Sequence, residues 1–277
     1  MKKLIPFWPV VVIVVLSFVT MCNPKDKKPA DPVPPPVTQI HLGDSVLENK
    51  DMDNYSQEVN ARRKPPRPKP HPNDPPLPPV TPANGCLLLD FNGHNVTGTM
   101  WNTSGAFTCA SANLTPTNEQ VVFDKVVNYY AVFNPYIKIT RDEAVFNSYP
   151  QNKRRRIIIT TSWEWFGSSG GVAYINSFSW FDDTPAFVFS SRLGYNTKNI
   201  ADATAHEGGH TLGCRHQSDW RFNADSSCYK ASDYFWGNKI MGASYNDANP
   251  QWSIGPNSLG CTIIQNDTTV IFETLRR

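Results

Sequence analysis

The sequence has little net charge and no internal repeat. Lysine and arginine total 26 against 24 aspartates and glutamates, which leaves a formal net charge of +2. Binding to nucleic acid needs a concentrated basic face. The only tight basic run lies at residues 153–156, and because it leads directly into the apolar residues 157–160 we interpret it as the solvated entrance to a strand. The composition therefore argues against nucleic acid as the partner.

Cysteine is also scarce, with six residues. Cys22 closes an N-terminal apolar run and is discussed below, and the other five are spread over the rest of the chain: Cys86, Cys109, Cys214, Cys228 and Cys261. An exported protein can keep disulfides, and because five is odd, at least one thiol should remain unpaired. Pairing cannot be read from sequence, but we favour Cys86 with Cys109 and Cys228 with Cys261. Cys214 is then a small buried hydrophobic side chain or, alternatively, a partner of Cys228.

Proline is sparse in most of the chain and concentrated in one segment. Residues 24–82 hold 16 of the 24 prolines, in runs such as PPRPKPHPNDPPLPP. A segment of this composition cannot bury enough apolar surface to fold and is expected to be extended. We therefore interpret residues 23–84 as a linker or prosegment, and residues 85–277 as one folded domain of ordinary size.

Long hydrophobic runs are missing except at the N-terminus, where two lysines precede an apolar run that ends at Cys22. This is the pattern of an export signal, and a membrane-spanning helix is the alternative because the run approaches spanning length. Residues 19–22 resemble a relaxed bacterial lipobox, which implies a lipid on Cys22. We expect residues 1–22 to be a lipoprotein signal peptide and the exported protein to be anchored to a bacterial membrane, periplasmic or at the cell surface, with ordinary secretion as the alternative.

Hydrophobic periodicity in residues 85–277 predicts alternating strands and helices. Apolar residues recur with helical spacing over residues 117–133, where Thr117 and Gln120 form a capping-box pattern. Two more helices are predicted at residues 199–212 and 267–277. Apolar runs predict five strands, at residues 86–91, 136–140, 156–163, 171–180 and 185–190. This order favours an α/β domain with a mostly parallel sheet, in which residues 171–180 form a partly exposed edge.

The stretch HEGGHTLGCRH, residues 206–216, holds three of the six histidines. His206 and His210 are four apart, so on a helix they share one face and can bind one ion. Gly213 lies where a left-handed C-cap residue is needed, and a turn there lets His216 return as a third ligand. Three neutral imidazoles leave the fourth position of zinc to water, as in catalytic sites. The alternative is a helix with buried histidines, but two glycines inside it each cost about 1 kcal/mol relative to alanine, which favours a functional site.

His206, Glu207, His210, Gly213 and His216 match the signature HExxHxxGxxH, and the chain therefore resembles the metzincin clan of zinc endopeptidases. The segment NKIMGASY resembles the methionine turn of the clan, and GGVAYINSF resembles its antiparallel edge strand. The resemblance covers most of residues 86–277 and suggests a bacterial, reprolysin-like secreted branch. It implies a twisted, mostly parallel sheet with an antiparallel edge strand, an active-site helix, and an irregular C-terminal subdomain that ends in a helix.

The resemblance also implies a set of roles. One catalytic Zn²⁺ would be bound by the three histidines, with Glu207 as general base toward a zinc-activated water. Met241 would form a floor beneath the histidines. A protein or peptide substrate would add as a strand along Gly171, Val172, Ala173 and Tyr174. Tyr245 is a candidate transition-state helper, although astacins and serralysins place their tyrosine closer to the methionine.

Several further assignments rest on weaker patterns. Trp252 is expected to line the pocket for the residue after the cut bond. Asp182 and Asp183 could bind calcium, but a polar turn is the simpler interpretation. Residues 41–44, HLGD, faintly resemble the aspartate switch of astacin prosegments, with a solvated linker as the alternative, and the absence of cysteine from residues 23–85 excludes a cysteine switch in that segment. We expect a monomer.

The function predicted from the sequence is that of a lipid-anchored zinc endopeptidase. A non-catalytic surface binding protein on the same fold is one alternative, and Glu207 argues against it because a binding protein has no need of a general base. A zinc hydrolase of cell-wall peptides is the other.

Overall fold

The computed structural model describes residues 83–277. The signal segment with Cys22, the proline-rich segment and the HLGD motif lie outside the described residues. Within residues 83–277, none of the helices combines the length and the apolar character that crossing a membrane would require.

The described residues form eleven strands and four α-helices. The strands are β1 (Gly85–Asp90), β2 (His94–Val96), β3 (Phe107–Cys109), β4 (Ile137–Thr140), β5 (Arg154–Thr160), β6 (Gly171–Val172), β7 (Ala186–Phe189), β8 (Asp219–Phe222), β9 (Cys228–Ser232), β10 (Ile254–Asn257) and β11 (Gly260–Asn266). The helices are α1 (Pro116–Tyr129), α2 (Glu143–Asn147), α3 (Thr197–Thr211) and α4 (Asp267–Arg276).

Five of the strands form the central sheet, in the spatial order β4-β1-β5-β7-β6. The strand β1 pairs in parallel with β4 and β5, and β5 pairs in parallel with β7. The last strand, β6, runs antiparallel to β7. All residues of β1 and β7 are buried, as expected for parallel strands that are covered on both faces. The α/β fold with an antiparallel edge strand, predicted from the sequence, is confirmed.

The edge strand is shorter than predicted. Only Gly171 and Val172 pair with β7, whereas the prediction ran to residue 180. Asn176 adopts a left-handed conformation with φ 64°, and its backbone N–H donates to the carbonyl of His210 at 3.0 Å. The chain therefore bends toward α3 after the strand. Ala173 and Tyr174 continue the chain toward this bend but lie beyond the paired part of the edge.

The start of α1 also differs from the prediction. Thr115 is the N-cap, and its side chain accepts a hydrogen bond from the backbone N–H of Asn118 at 3.2 Å. Pro116 occupies the first helical position, where its missing N–H carries no penalty. Thr117 therefore lies inside the helix, and the capping box of Thr117 and Gln120 was wrong.

Arg155 contradicts the interpretation of residues 153–156 as a solvated strand entrance. It shares a face of β5 with Ile157, and its side chain is 1 % exposed. Its guanidinium donates to four backbone carbonyls, at distances of 2.7 to 3.3 Å: those of Asp182, Thr184, Phe178 and Trp180. Burial lowers the pKa of Arg155 to about 10. The charge is thus used to hold the segment between β6 and β7, which the sequence alone could not show.

The cysteines are paired in only one of the two ways predicted. A disulfide joins Cys228 of β9 to Cys261 of β11, as predicted. The expected bridge between Cys86 and Cys109 was wrong, because both are unbridged and buried in different apolar clusters. Cys214 is unbridged and buried, which agrees with its interpretation as a small hydrophobic side chain and excludes a bridge to Cys228.

The C-terminal part consists of two hairpins and a helix. The hairpins are β8–β9 and β10–β11, each an antiparallel pair. The helix α4 follows β11 directly, with Asn266 as its N-cap. The prediction of an irregular C-terminal subdomain that ends in a helix is confirmed.

Candidate metal centre

The helix α3 crosses the molecule in a buried position. Asn196 caps its N-terminus by accepting from the backbone N–H groups of Lys198 and Asn199. Every residue from 200 to 211 is buried. The side chains along this stretch are therefore fixed by packing on all sides, which suits residues that must converge on one point.

Two glycines in α3 are explained by close packing. A Cβ at Gly208 would come within 2.4 Å of the hydroxyl oxygen of Tyr130. A Cβ at Gly209 would come within 2.6 Å of the Met241 sulfur and 2.9 Å of the Trp252 ring. Glycine at these positions lets α3 pack closely against Met241 and Trp252 on one side and against Tyr130, the C-cap of α1, on the other. This close packing offsets the penalty of glycine in a helix.

The three histidines lie together at the end of α3. One ring nitrogen from each of His206, His210 and His216 lies within 4.8 Å of the others. The ring centroids are 4.6 to 5.1 Å apart. Gly213 has φ 104°, the left-handed conformation that the sequence predicted for the turn, and this turn brings His216 back toward the helix.

Hydrogen bonds orient two of the imidazoles. Nδ1 of His206 lies 2.6 Å from the carbonyl oxygen of Ile240, and Nδ1 of His210 lies 2.7 Å from that of Cys214. A carbonyl only accepts, so each Nδ1 carries the proton and each Nε2 is left with a free lone pair. The arrangement presents the imidazoles in the tautomer that a metal requires.

The buried nitrogens fit a cation. Nε2 of His206 and of His216 is buried and has no hydrogen-bond partner in residues 83–277. Burial lowers the pKa of His206 to about 4 and the pKa values of His210 and His216 well below their usual range. The imidazoles are therefore neutral at neutral pH, and a zinc ion would satisfy lone pairs that are otherwise orphaned.

Glu207 lies beside the histidines, beneath the edge strand. It is 1 % exposed, and both carboxylate oxygens lack a hydrogen-bond partner within the described part of the chain. Burial raises the pKa of this carboxyl well above its usual range. A Cβ at Gly171 would come within 2.7 Å of Oε1 of Glu207, so only glycine fits at that position of β6.

The predicted methionine turn lies under the helix. Met241 is fully buried, and its carbonyl accepts from the backbone N–H of Gln217 at 2.7 Å. Because Gln217 follows His216 and Ile240 bonds to His206, the segment around Met241 is connected to the first and the third histidine.

Two tyrosines border the site. The Tyr234 ring centroid lies 4.4 Å from that of His216, and this residue is 3 % exposed. Nothing in the sequence indicated Tyr234, because it lies in an irregular segment outside the signature. The hydroxyl of Tyr245 is buried without a hydrogen-bond partner in the described chain. Burial, and then the charge of Glu207, raise its pKa.

The structure also places the residues with weaker sequence assignments, which are Trp252, Asp182 and Asp183. The Trp252 ring packs against Tyr130 and Phe133, and its indole N–H donates to the carbonyl of Tyr129 at 2.7 Å, so it contributes to the packing under α3. Asp182 forms the predicted polar turn, since its carboxylate accepts from the N–H of Thr184. The carboxylates of Asp182 and Asp183 also pair with the arginines of β5.

A buried cluster of three neutral imidazoles with a carboxylate beside it, on a helix packed under the edge of a mostly parallel sheet, resembles the zinc site of a metzincin-type metalloprotease. The comparison with family models agrees. Residues 142–217 match the model of metallo-peptidase family M12B, reprolysin-like, and this segment runs from the start of α2 to the residue after His216. The resemblance to metzincin proteases is thereby confirmed. No curated protein gives a significant match to the chain.

Proposed function

We propose that this protein is a zinc-dependent endopeptidase in which a zinc-activated water attacks the peptide bond and Glu207 is the general base. The observation that carries the proposal is the position of Glu207. Its carboxylate is buried, lacks a hydrogen-bond partner among the described residues, and lies against Gly171 of the edge strand, on the residue that follows His206.

The chain provides the parts of the reaction as follows. Zn²⁺ held by His206, His210 and His216 would polarise the attacking water and the scissile carbonyl. Glu207 takes up a proton at its carboxylate and delivers it to the leaving amine. Burial raises the pKa of this carboxyl well above its usual range, which favours uptake of the proton.

The substrate is proposed to bind as an added strand. The outer edge of β6 has no partner strand in residues 83–277, and an extended peptide is proposed to pair there. Gly171, Val172, Ala173 and Tyr174 form this edge and its continuation. Contact between Gly171 and Glu207 means that a peptide on this edge passes directly over the base.

Tyr245 is proposed to assist catalysis. Its hydroxyl is buried and has no hydrogen-bond partner within the described residues, and burial, then the charge of Glu207, raise its pKa. A phenol in this position could donate a hydrogen bond to the oxyanion that develops during attack.

The proposed location is the outer side of a bacterial membrane, with a lipid on Cys22 as anchor. The support is the basic start and apolar run of residues 1–22, which end at that cysteine. Ordinary secretion is the alternative, and we propose a monomer.

The decisive experiment compares wild type with Glu207→Gln on a panel of unstructured proteins and peptides, with and without a chelator. Wild type should cut, and the chelator should abolish cutting. The variant should keep stoichiometric zinc and lose activity by roughly 10²–10⁴-fold. Glu273→Gln, which changes an exposed glutamate on α4, is the matched control and should behave as wild type. Cleavage that Glu207→Gln retains would contradict the proposed base.

Cell-wall peptides are the substrate alternative. Purified peptidoglycan incubated with the same proteins separates the two cases. Release of cross-link peptides by wild type, with no cleavage of any protein substrate, would replace the endopeptidase proposal with the cell-wall hydrolase.

A further inference from the structure

A buried carboxylate outside the signature lies one helical turn before the first histidine. Asp202 of α3 has a fully buried side chain. It accepts hydrogen bonds from Nζ of Lys198 at 2.6 Å, from the hydroxyl of Tyr129 at 2.7 Å and from Oγ of Ser244 at 2.9 Å. Asp202 therefore connects α3 both to α1 and to the segment that follows Met241.

Ser244 is held to α3 at two atoms. Its hydroxyl donates to Asp202, and its carbonyl accepts from Nζ of Lys198 at 2.7 Å. Ser244 is 1 % exposed, so water does not compete for these bonds. Lys198, Asp202 and Ser244 thus connect α3 to residues 240–244, which contain Met241. We call this set of hydrogen bonds the clamp.

The other end of this segment is fixed at the metal centre itself. The carbonyl of Ile240 accepts from Nδ1 of His206, four residues after Asp202 on the same helix. Between the two attachments, Met241 fills the space left by Gly209. Residues 240–244 are thus hydrogen-bonded to α3 at both ends. The two attachment points on the helix, Asp202 and His206, are one helical turn apart.

Stability alone does not account for Asp202. Burying an ion pair removes both charges from water, and well-packed apolar residues in the same volume are often as stable. Hydrogen bonds to a carboxylate, in contrast, are directional and fix the relative position of the groups that make them. Three such bonds converge on Asp202, and a further hydrogen bond joins Nζ of Lys198 to the Ser244 carbonyl, which favours a role in geometry.

We propose that Asp202 is a positioning residue of the zinc centre. With Lys198 it holds Ser244, and through residues 240–244 it fixes the Ile240 carbonyl that orients His206 and also the position of Tyr245, which follows Ser244 in the chain. The part that concerns zinc affinity rests only on the histidine cluster, whereas the part that concerns catalysis rests on the proposed endopeptidase function.

The test uses Asp202→Asn and Ser244→Ala, each in the full chain. Zinc affinity is measured by competition with a chelator, and hydrogen exchange of the amides of residues 240–244 is measured in the metal-free protein. Both variants should bind zinc roughly 10–100-fold more weakly, the loss typical of partners that orient a metal ligand. They should also exchange these amides faster than wild type. Ser244→Thr keeps the hydroxyl and should restore wild-type values.

Asp90→Asn is the matched control. Asp90 is also a buried carboxylate, paired with Arg156 and His94 at a site that contacts none of the three histidines. The Asp90→Asn variant should lose stability without a change in zinc affinity or in the hydrogen exchange of the amides of residues 240–244. If Asp202→Asn fails to fold, Ser244→Ala carries the test alone. Wild-type zinc affinity and wild-type exchange in the folded variants would overturn the proposal.

Peptidase kinetics distinguish the proposed role of Asp202 from the proposed endopeptidase function. Asp202→Asn, saturated with zinc, should lower kcat with little change in KM, because the clamp orients catalytic groups and does not touch the substrate edge. A wild type that cleaves nothing would refute the proposed endopeptidase, while the zinc and exchange measurements would still decide the role of Asp202.

Discussion

The sheet region, residues 85–211, buries apolar side chains along nearly every element, whereas the C-terminal region, residues 212–277, buries fewer of them and adds a buried cluster of polar bonds. Every residue of β7 and the isoleucines of β5 are fully buried. The hairpins of the C-terminal region instead leave large side chains open: Phe222 is 67 %, Ile254 63 % and Ile264 58 % exposed.

In the C-terminal region, a buried cluster of amide and carboxylate side chains accompanies buried apolar residues such as Met241, Ile271 and Leu275. Nε2 of Gln217 donates to the carbonyls of Ser253 and Gln265 and to the carboxylate of Asp267, at 3.0 to 3.3 Å. The same carboxylate accepts from the N–H of Ser253 at 2.9 Å. The disulfide between β9 and β11 adds a covalent link.

The candidate metal centre is assembled from both regions. His206 and His210 belong to the helix packed on the sheet, whereas His216 and Met241 belong to the C-terminal region. Two candidate ligands therefore lie on a buried helix with their Nδ1 atoms hydrogen-bonded, whereas the third follows the Gly213 turn and packs its ring against Tyr234. We expect the third ligand to be the more easily disturbed.

The largest expected effect comes from a matched pair of phenylalanines. Phe187→Ala, in β7, removes a fully buried ring and should cost about 3–5 kcal/mol of unfolding free energy. Phe222→Ala, in β8, removes a mostly exposed ring and should cost less than about 1 kcal/mol. Urea unfolding of the two metal-free variants measures both. Equal losses of unfolding free energy in the two variants would contradict the difference in apolar burial between the two regions.

Removal of the disulfide should act on the C-terminal region. The bridge closes a chain separation of 33 residues, for which the chain-entropy model gives about 3–4 kcal/mol. The double variant Cys228→Ser, Cys261→Ser should lose stability of this order and bind zinc more weakly, since His216 lies in the affected region. Amide exchange within β5 and β7 at temperatures below unfolding should stay slow. Fast exchange there would mean that the two regions unfold as one unit.

Acid should destabilise the metal-free protein at the metal centre. The pKa of His206 falls from its ordinary value of 6.5 to about 4 in the folded chain because of burial. The unfolded chain therefore takes up a proton first, and stability is lost as pH falls from about 6.5 to 4. This group contributes about 3 kcal/mol to the loss. Unfolding of wild type and His206→Gln across this pH range measures it, and an identical pH dependence would contradict it.

The smallest effect is expected at the junction of the regions. The Cys214 sulfur lies 3.7 Å from the carbonyl of Asp267, so a serine hydroxyl fits and can donate there. Cys214→Ser should keep stoichiometric zinc and change stability by less than about 1 kcal/mol. His216→Ala, two residues on, should lose the metal. Loss of zinc in Cys214→Ser would mean that the ligand set is wrong.

Local sequence patterns predicted the elements whose partners lie close in the chain. The spacing of His206 and His210 on α3, the left-handed turn at Gly213 and the buried strands β1 and β7 follow from one or two turns of helix or one apolar run. Predictions that needed a distant partner were less successful. The bridge of Cys86 with Cys109 and the extent of the edge strand beyond Val172 both depended on residues far away in sequence.

The sequence by itself indicated the candidate metal centre of this protein, because the residue types and spacing of residues 206–216 admit few other uses. Only the tertiary structure decided which side chains support that chemistry. The burial of Arg155, the approach of Tyr234 to His216 and the clamp of Asp202 on Ser244 bring together residues far apart in the chain. Such contacts depend on how the sheet, the helix and the C-terminal region pack against one another, and no local pattern records them.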